Sequence, residues 1–333
     1  MVKAPAPRPT GDRPVASAPS LTGHRPEAYE RHPLHAAERA YIETNCYADV
    51  VIELLHALGY EPLAAFGHLV RMDFEGDQWT FFKPPAEDLE RLYGIDVHEM
   101  QPYRPLPAQI AEQLARGRTL IVELDAWWLP DTASTSYRAQ HVKTSVAVDA
   151  IDQRGHSLRY FHGPGLFELA GEDYRGVLRV DGVAGDVLPP YTELVRFDAG
   201  DRLQGPALRA EALETLRRHL ARVPSTNPFE RFAAHLVSEL PALLAGGPED
   251  YHAFAFATVR MAGSAFELLA DHARWLLGPE VDPGVAAMTE IVDGCKALSF
   301  RLARRRGFDP EPALGLLADA WERALSCVAA AAG

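Results

Sequence analysis

The sequence has few cysteines, no long apolar run and a shortage of positive charge. Its three cysteines, Cys46, Cys295 and Cys327, are widely spaced and form no Cys-x-x-Cys pair. This excludes a disulfide framework and a cysteine-rich zinc site, and it favours a reducing compartment. No window approaches about 18 uninterrupted apolar residues, so we expect no membrane span. These features together predict a cytoplasmic protein.

Lysine and arginine number 33 against 46 aspartates and glutamates, which gives a formal net charge of −13. Nucleic acids and anionic membranes are bound through a basic face, so this balance argues against both as partners. The 13 histidines include no His-x-x-x-His pair, and we therefore predict no metal site.

The chain divides into three parts by composition. Residues 1–27 are rich in proline and lack apolar periodicity, which predicts a disordered leader. Residues 28–203 mix helical and strand-like patterns, whereas residues 204–333 contain helical patterns alone. The predicted fold class is therefore α+β, with a mixed α/β domain followed by an all-helical domain.

Several segments of the mixed domain have clear patterns. Residues 46–58 place apolar side chains on one helical face, and the apolar stretch 63–74 is strand-like. The run 119–130 is typical of a central strand. Residues 141–151 alternate cleanly, and we expect 157–161 to return beside them as a hairpin.

Cys46 begins the predicted helix, and Asn45 before it is a natural N-cap. A thiol at a helix start feels the positive end of the macrodipole, which favours the nucleophilic thiolate. His141 begins a strand far along the chain and is a candidate to pair with this thiol. The alternative is that Cys46, on the apolar helix face, is simply buried.

The order of these elements resembles the papain-like arrangement. Residues 41–170 are similar to the N-terminal domain of the butirosin biosynthesis protein H family, through NCYADVVIELLHALGY, VELDAWWLP and QHVKTSVAVDAID. Those proteins use the cysteine to take an acyl group from a carrier protein and pass it to an amine. The resemblance implies a papain-like acyltransferase with Cys46 as nucleophile and His141 as proton shuttle.

Over about residues 30–330 the chain also resembles an uncharacterised bacterial family of unknown function, whose members often accompany amino acid:carrier-protein ligases. The shared motifs are DQWTFFKPPAEDLERLYGI, RYFHGPGLFEL, NPFERF and YHAFAFATVRMAGSAFELLADHARWL. The resemblance implies an acyl or aminoacyl carrier protein as donor and a small-molecule amine as acceptor. The only cofactor would be phosphopantetheine, carried by the partner.

The third catalytic residue departs from the relatives, which have an acidic or amide residue at the end of the return strand. The matching residue here is His162. A simple hairpin leaves it roughly four residues from His141, so a bulge or a shifted turn is required. Glu168 is the alternative, while Asp149 lies about 26 Å along the strand from His141, too far to contact it.

Three further residues are candidates for substrate binding: Asn45, Asp125 and Trp127. Asp125 ends the apolar strand, where a ligand would lie, and Trp127 follows it. Each also has a structural explanation, as an N-cap, a turn residue and a packing residue respectively.

Arg301, Arg304 and Arg305 share a helical face at i, i+3 and i+4, against the overall charge. We predict a docking patch for an acidic carrier protein, and the alternative is complementation of the helix dipole.

The residues leave two alternatives to the acyltransferase. One is a hydrolase that uses the same cysteine and histidine with water as acceptor. The other is a non-catalytic carrier-binding protein in which Cys46 is packed.

Overall fold

The computed structural model describes residues 17–182 and 188–333. Its strands in these ranges are β1 Ser17–Ala18, β2 Asp96–Glu99, β3 Thr119–Asp125, β4 Lys143–Asp152, β5 Ser157–His162, β6 Gly165–Ala170 and β7 Thr192–Arg196. The same part contains α1 Cys46–Ala57, α2 Ala86–Tyr93, α3 Leu106–Leu114 and α4 Glu172–Val177, with a 3₁₀ helix at Pro62–Arg71.

All strand pairs in the sheet are antiparallel, in the order β2-β7-β3-β4-β5-β6, and β1 pairs with the end of β4. Successive side chains alternate between the two faces of the sheet. Ile121, Ala147 and Phe161 belong to the core that contains α1, whereas Val146 and Val148 pack with α3 on the other face. The predicted α+β class is confirmed.

The predicted leader ends earlier than expected. Its residues 1–16 lie outside the described residues, but Ser17–Ala18 pair with β4. Asp149, fully buried beside a register shift in β4, accepts hydrogen bonds from the Ser20 hydroxyl at 2.7 Å and the Thr22 amide at 3.0 Å. A buried carboxylate needs such donors, and this fixes the chain well before residue 27.

The strand predicted at 63–74 is wrong. Most of this stretch lies in the 3₁₀ helix Pro62–Arg71, and beyond it Phe74 forms only an isolated bridge with Trp79. Phe66 and Leu69 are fully buried in a core that α1 shares with the C-terminal helices. The apolar run therefore reflects burial on all sides, which periodicity cannot distinguish from a strand.

The C-terminal part is helical, as expected. It contains α5 Gly205–Leu220, α6 Pro228–Ala245, α7 Pro248–Ala255, α8 Met261–Leu277, α9 Asp282–Ala303 and α10 Glu311–Ala332. Between α7 and α8 the chain forms a π-helical segment, Phe256–Arg260. Segments of this kind are rare and often occur at functional sites.

One apolar stretch, Pro248–Ala303, is long enough to cross a membrane, but 61% of its most apolar window is buried in the protein. Core helices of soluble proteins pass the same test of length and composition. The stretch is therefore weak evidence for a membrane span and is consistent with a soluble protein.

Candidate functional site

Helix α1 begins at Cys46, as the sequence predicts, and Asn45 is its N-cap. The Asn45 side-chain oxygen accepts the amides of Tyr47 at 3.1 Å and Ala48 at 3.0 Å, and its Nδ2 donates to the Phe82 carbonyl at 3.1 Å. Asn45 is only 2% exposed. Its side-chain oxygen is thus committed to the cap and its side-chain nitrogen to Phe82, and the Cys46 amide is not bound by Asn45.

Two buried carboxylates fix the first turn of α1, Glu193 from the sheet and Asp49 from the helix itself. Tyr47 donates its hydroxyl to Glu193 Oε2 of β7 at 2.6 Å. Asp49 accepts the Thr44 hydroxyl at 2.7 Å and its amide at 3.0 Å, and it faces His35 Nε2 at 3.2 Å. These contacts hold the cysteine in one position at the sheet surface.

His35 lies between Asp49 and Glu53, one turn further along α1, and all three side chains are buried. Burial alone lowers the pKa of His35, but the hydrogen bonds and charges of the two carboxylates outweigh it and raise the pKa to about 9. Glu53 also accepts the Tyr29 hydroxyl at 2.5 Å. At neutral pH, His35 is therefore an imidazolium beneath the cysteine helix.

Cys46 is partly exposed and lines a pocket of about 450 Å³. Its thiol donates to Ser145 Oγ at 3.6 Å and, within the described ranges, makes no hydrogen bond to an imidazole. Cys295 differs, because it is fully buried and burial raises its pKa to about 12. Cys46 is therefore not a core cysteine of that kind.

His141 does not pair with Cys46, and this expectation is wrong. It precedes Ser145 by four residues, about 13 Å along an extended strand, and it does not line the Cys46 pocket. Its Nδ1 lies 2.7 Å from Asp125 Oδ2, and its ring stacks on Trp127 with centroids 4.6 Å apart. Three predicted site residues thus meet, but away from the cysteine.

His162 is the histidine that shares the pocket with Cys46. Its Nδ1 lies 2.5 Å from Asp131 Oδ2 and its Nε2 lies 2.8 Å from Thr144 Oγ1. Asp131 also accepts the Tyr160 hydroxyl at 2.5 Å. The predicted role of His162, orienting His141, is therefore wrong, because His162 forms its own pair with Asp131, whose side chain is 5% exposed.

The alternative third residue, Glu168, lies elsewhere. Its Oε2 accepts Arg159 Nε at 3.2 Å and Nη2 at 3.0 Å, and it does not line the Cys46 pocket. Asp131, which sequence reasoning missed, lies in a short 3₁₀ turn, Pro130–Thr132, beyond the central strand. Its place after that strand is the signal that could have indicated it, because a turn residue has no periodicity of its own.

The helical part contributes Phe256 and Arg260 to the same pocket. They are the first and last residues of the π-helical segment, and the guanidinium carbon lies 5.5 Å from the phenyl ring. Arg260 Nη2 donates to the Glu43 carbonyl at 3.1 Å. Both residues fall in the motif YHAFAFATVRMAGSAFELLADHARWL, but helical periodicity alone gave no reason to select them.

The predicted arginine face is not formed as expected. Helix α9 ends at Ala303, so Arg304 is its C-cap and Arg305 lies beyond it with φ of 49°. The Arg305 guanidinium donates to the Gly246 carbonyl. Arg301 and Arg304 remain exposed, without an ion pair to a described residue.

Across residues 17–182 and 188–333, no group of three or more His, Cys, Asp or Glu side chains is placed to hold a metal ion.

Two family models match the sequence, the DUF1839 N-terminal domain over residues 30–197 and the DUF1839 C-terminal domain over residues 205–330. The chain belongs to the DUF1839 family. The expectation of a domain family of unknown function is thereby confirmed. No curated protein matches the sequence.

The pocket of this DUF1839 protein combines three kinds of chemical group. Cys46 supplies a thiol at a helix start, His162 and Asp131 supply a histidine–carboxylate pair, and Arg260 supplies a cation. A thiol can form a covalent acyl intermediate, and a positioned imidazole can move protons. The arrangement is suited to acyl transfer through the cysteine.

Proposed function

We propose that the protein is a thiol acyltransferase of papain-like arrangement, with Cys46 as the nucleophile. One observation carries this proposal: a partly exposed cysteine at a helix start shares a pocket with the His162–Asp131 pair. A cysteine kept only for packing would have no need of either feature.

Two balanced steps describe the reaction. Cys46 sulfur attacks the carbonyl carbon of a thioester, the carbon–sulfur bond to the donor breaks, and the donor thiol leaves with the proton that Cys46 gave up. An amine then attacks the acyl-cysteine, loses a proton, and releases Cys46 as a thiol. The Cys46 amide, which Asn45 does not engage, can donate to the oxyanion in both steps.

His162 takes the place that His141 was expected to fill. Cys46 contacts Ser145 and His162 contacts Thr144, two successive residues of β4 whose side chains point to opposite faces of the sheet. The imidazole is therefore not an ion-pair partner of the sulfur, and we propose that it exchanges protons with the acceptor amine and the leaving thiol inside the pocket that both residues line. Asp131 fixes the tautomer with the proton on Nδ1.

The proposed donor is an acyl or aminoacyl carrier protein, and its phosphopantetheine is the only cofactor. The proposed acceptor is a small-molecule amine. We place the reaction in the cytoplasm, where the three cysteines, all free in this structure, would stay reduced.

The test is to incubate the full chain with an acyl thioester, with and without amines, and to measure the intact mass. We expect one acyl adduct on the wild type, its loss in Cys46→Ala, and its retention in Cys327→Ala, a matched variant at the other partly exposed cysteine. An adduct that persists in Cys46→Ala refutes the proposal. Release by water as fast as by amines would identify a hydrolase instead.

A second candidate is a carrier-binding protein without chemistry, and one observation favours it. Among described residues, the hydrogen-bond partner of the sulfur is the Ser145 hydroxyl and not an imidazole. This candidate predicts that Cys46 resists iodoacetamide at neutral pH while the protein still binds a carrier. Rapid alkylation of Cys46 would exclude it.

A further inference from the structure

The Cys46 pocket is formed mainly by the α/β part, but the helical part places two residues in it, Phe256 and Arg260. The π-helical segment puts both on one side, at its two ends. Segments of this kind are rare and occur often at functional sites, and this one lies beside the Cys46 pocket.

Arg260 is a partly buried cation without a matching anion. Among the described residues, no carboxylate lies within 4.0 Å of its guanidinium, and its Nε is buried without a hydrogen-bond partner. One of its five N–H groups has an acceptor, the Glu43 carbonyl. A guanidinium with unused donors is suited to bidentate recognition of an oxyanion.

The other charged groups of the pocket are already paired or uninvolved with Arg260. Asp131 is bound to His162, Asp49 to Thr44 and His35, and Lys143 to Glu123 at 2.8 Å. Glu43 is exposed and offers Arg260 its backbone carbonyl rather than its carboxylate. Among the described residues, Arg260 is therefore the cation of this pocket that has no carboxylate partner, and it is free to pair with an anion from a bound molecule.

We propose that Arg260 binds a carboxylate on one of the two molecules that react at Cys46; this rests on the function proposed above. The carbonyl that accepts the Arg260 hydrogen bond belongs to Glu43, three residues before Cys46. The Cα atoms of Glu43 and Cys46 are therefore at most about 11 Å apart. A carboxylate a few bonds from the reacting carbonyl reaches both groups. The phosphate of phosphopantetheine lies at the end of the arm remote from the thioester, and so it does not.

The binding test uses glutarate and its neutral diamide, titrated into the full chain by calorimetry. We expect glutarate to bind at least about tenfold more tightly than the diamide, and Arg260→Gln to remove this preference while Arg260→Lys keeps part of it. Lys143→Gln is the matched control, because Lys143 lines the same pocket but already has Glu123. Equal affinity for the two compounds in the wild type overturns the inference.

Acyl-transfer rates then identify the molecule that carries the carboxylate. Glutaryl and glutaramyl thioesters are compared as donors, and glycine and glycinamide as acceptors, in wild type and Arg260→Gln. If Arg260→Gln loses the preference for the glutaryl donor, the carboxylate belongs to the donor. If it loses the preference for glycine, the carboxylate belongs to the acceptor. Glutarate binding that depends on Arg260 without acylation of Cys46 would refute the proposed function alone. Acylation with no carboxylate preference would refute this inference alone.

Discussion

His162 Nδ1 lies 2.5 Å from Asp131 Oδ2, and a second histidine–aspartate pair, His141 with Asp125, lies at the same end of the sheet at 2.7 Å. The two pairs differ in position rather than in chemistry. The first is mostly buried and lines the cavity that contains Cys46, whereas His141 is exposed in a separate pocket. The protein therefore contains its own control for the role of a histidine in this site.

We predict that His162→Ala slows acyl transfer to an amine by about 10²- to 10⁴-fold, the usual contribution of a general base. Asp131→Asn should give a smaller loss. Alkylation of Cys46 by iodoacetamide should change little in either, because the sulfur contacts Ser145 and not the imidazole. His141→Ala is the matched control and should transfer at the wild-type rate. A greater loss in His141→Ala than in His162→Ala would reverse the assignment.

The sequence could indicate Cys46, Asn45 and the strand of residues 141–151, because helix starts and alternating strands are local patterns. It could not indicate which histidine lines the same pocket as the cysteine. That choice depends on the register of β4 and β5 and on the shift at Asp149, which brings His162 beside Thr144. Such registers are set by long-range pairing.

Asp131 and Arg260 were missed for a related reason. Asp131 comes from a turn between strands, and Arg260 comes from the other part of the chain through a π-helical segment. Neither has a local signature. The prediction for Arg305 was wrong for a different reason. Its spacing fits a helical face with Arg301, but α9 ends at Ala303 and does not include it.

His35 predicts a loss of stability at alkaline pH. Its pKa is raised from 6.5 to about 9 in the folded chain, because the hydrogen bonds and charges of Asp49 and Glu53 outweigh the effect of burial. The stabilisation is thus fully present below pH 6.5 and disappears as the pH rises through about 9. Its size is about 3 kcal/mol.

Urea unfolding between pH 6 and 10 measures this effect. The wild type should lose stability toward pH 9, and His35→Gln should be less stable at pH 6 but nearly insensitive over the same interval. His98→Gln, at an exposed histidine that faces Asp96, serves as control and should follow the wild type. Parallel pH curves for wild type and His35→Gln would contradict the prediction.

Two buried histidines, His68 in the 3₁₀ helix Pro62–Arg71 and His272 in α8, lie where these two elements pack together. We predict that they cause a loss of stability in acid. Burial lowers the pKa of His68 to about 3 and of His272 to about 4, from 6.5. Each Nδ1 is bonded to a backbone carbonyl, and each Nε2 is buried without a partner. Stability should therefore fall as the pH drops below 6.5, with each histidine contributing up to about 1.4 kcal/mol per pH unit.

The neighbouring charged groups are Asp88, bound to His219 at 2.7 Å, and Arg71 beside His219, and the variants must leave them in place. The measurement is urea unfolding between pH 4 and 7 for the wild type and for the double variant His68→Leu, His272→Leu. The variant should have a flatter pH dependence. An unchanged dependence of the free energy of unfolding on pH would show that these two histidines do not cause the loss of stability in acid.

We predict that the N-terminus can be shortened to residue 17, but not past Thr22, without loss of stability. Removing residues 1–16 leaves the described contacts of Asp149 intact, and we expect no change in the free energy of unfolding. Removing residues 1–22 deletes Ser20 and Thr22, and of its described side-chain partners the buried carboxylate then keeps Arg159, at the longer distance of 3.7 Å. We expect a loss of about 3 kcal/mol, measured by urea unfolding.

A matched variant separates the loss of the Asp149 hydrogen bonds from the loss of the chain segment itself. In the full-length protein, Ser20→Ala with Thr22→Val should reproduce most of that loss, and adding Asp149→Asn should recover part of it by removing the buried charge. Equal stability of the two truncated chains would contradict the role of Asp149 as the anchor of this segment.

Arg301 and Arg304 remain the candidates for docking an acidic carrier protein, since Arg305 is engaged with the Gly246 carbonyl. A chain with a net charge of −13 repels such a partner except where a local positive surface faces it. Exposed charges act over a Debye length of about 8 Å at physiological salt, so these two side chains steer the approach only when the carrier is close.

Replacing both with glutamate should slow carrier association about tenfold at low salt and much less at high salt, as measured by stopped-flow fluorescence. Arg154→Glu with Arg222→Glu is the control, because both residues are exposed and the change in net charge is identical. If the control slows association as much as the Arg301 and Arg304 variant, the effect belongs to overall charge and the carrier docks elsewhere. Alkylation of Cys46 should stay at the wild-type rate in both variants, since neither pair of residues lines its pocket.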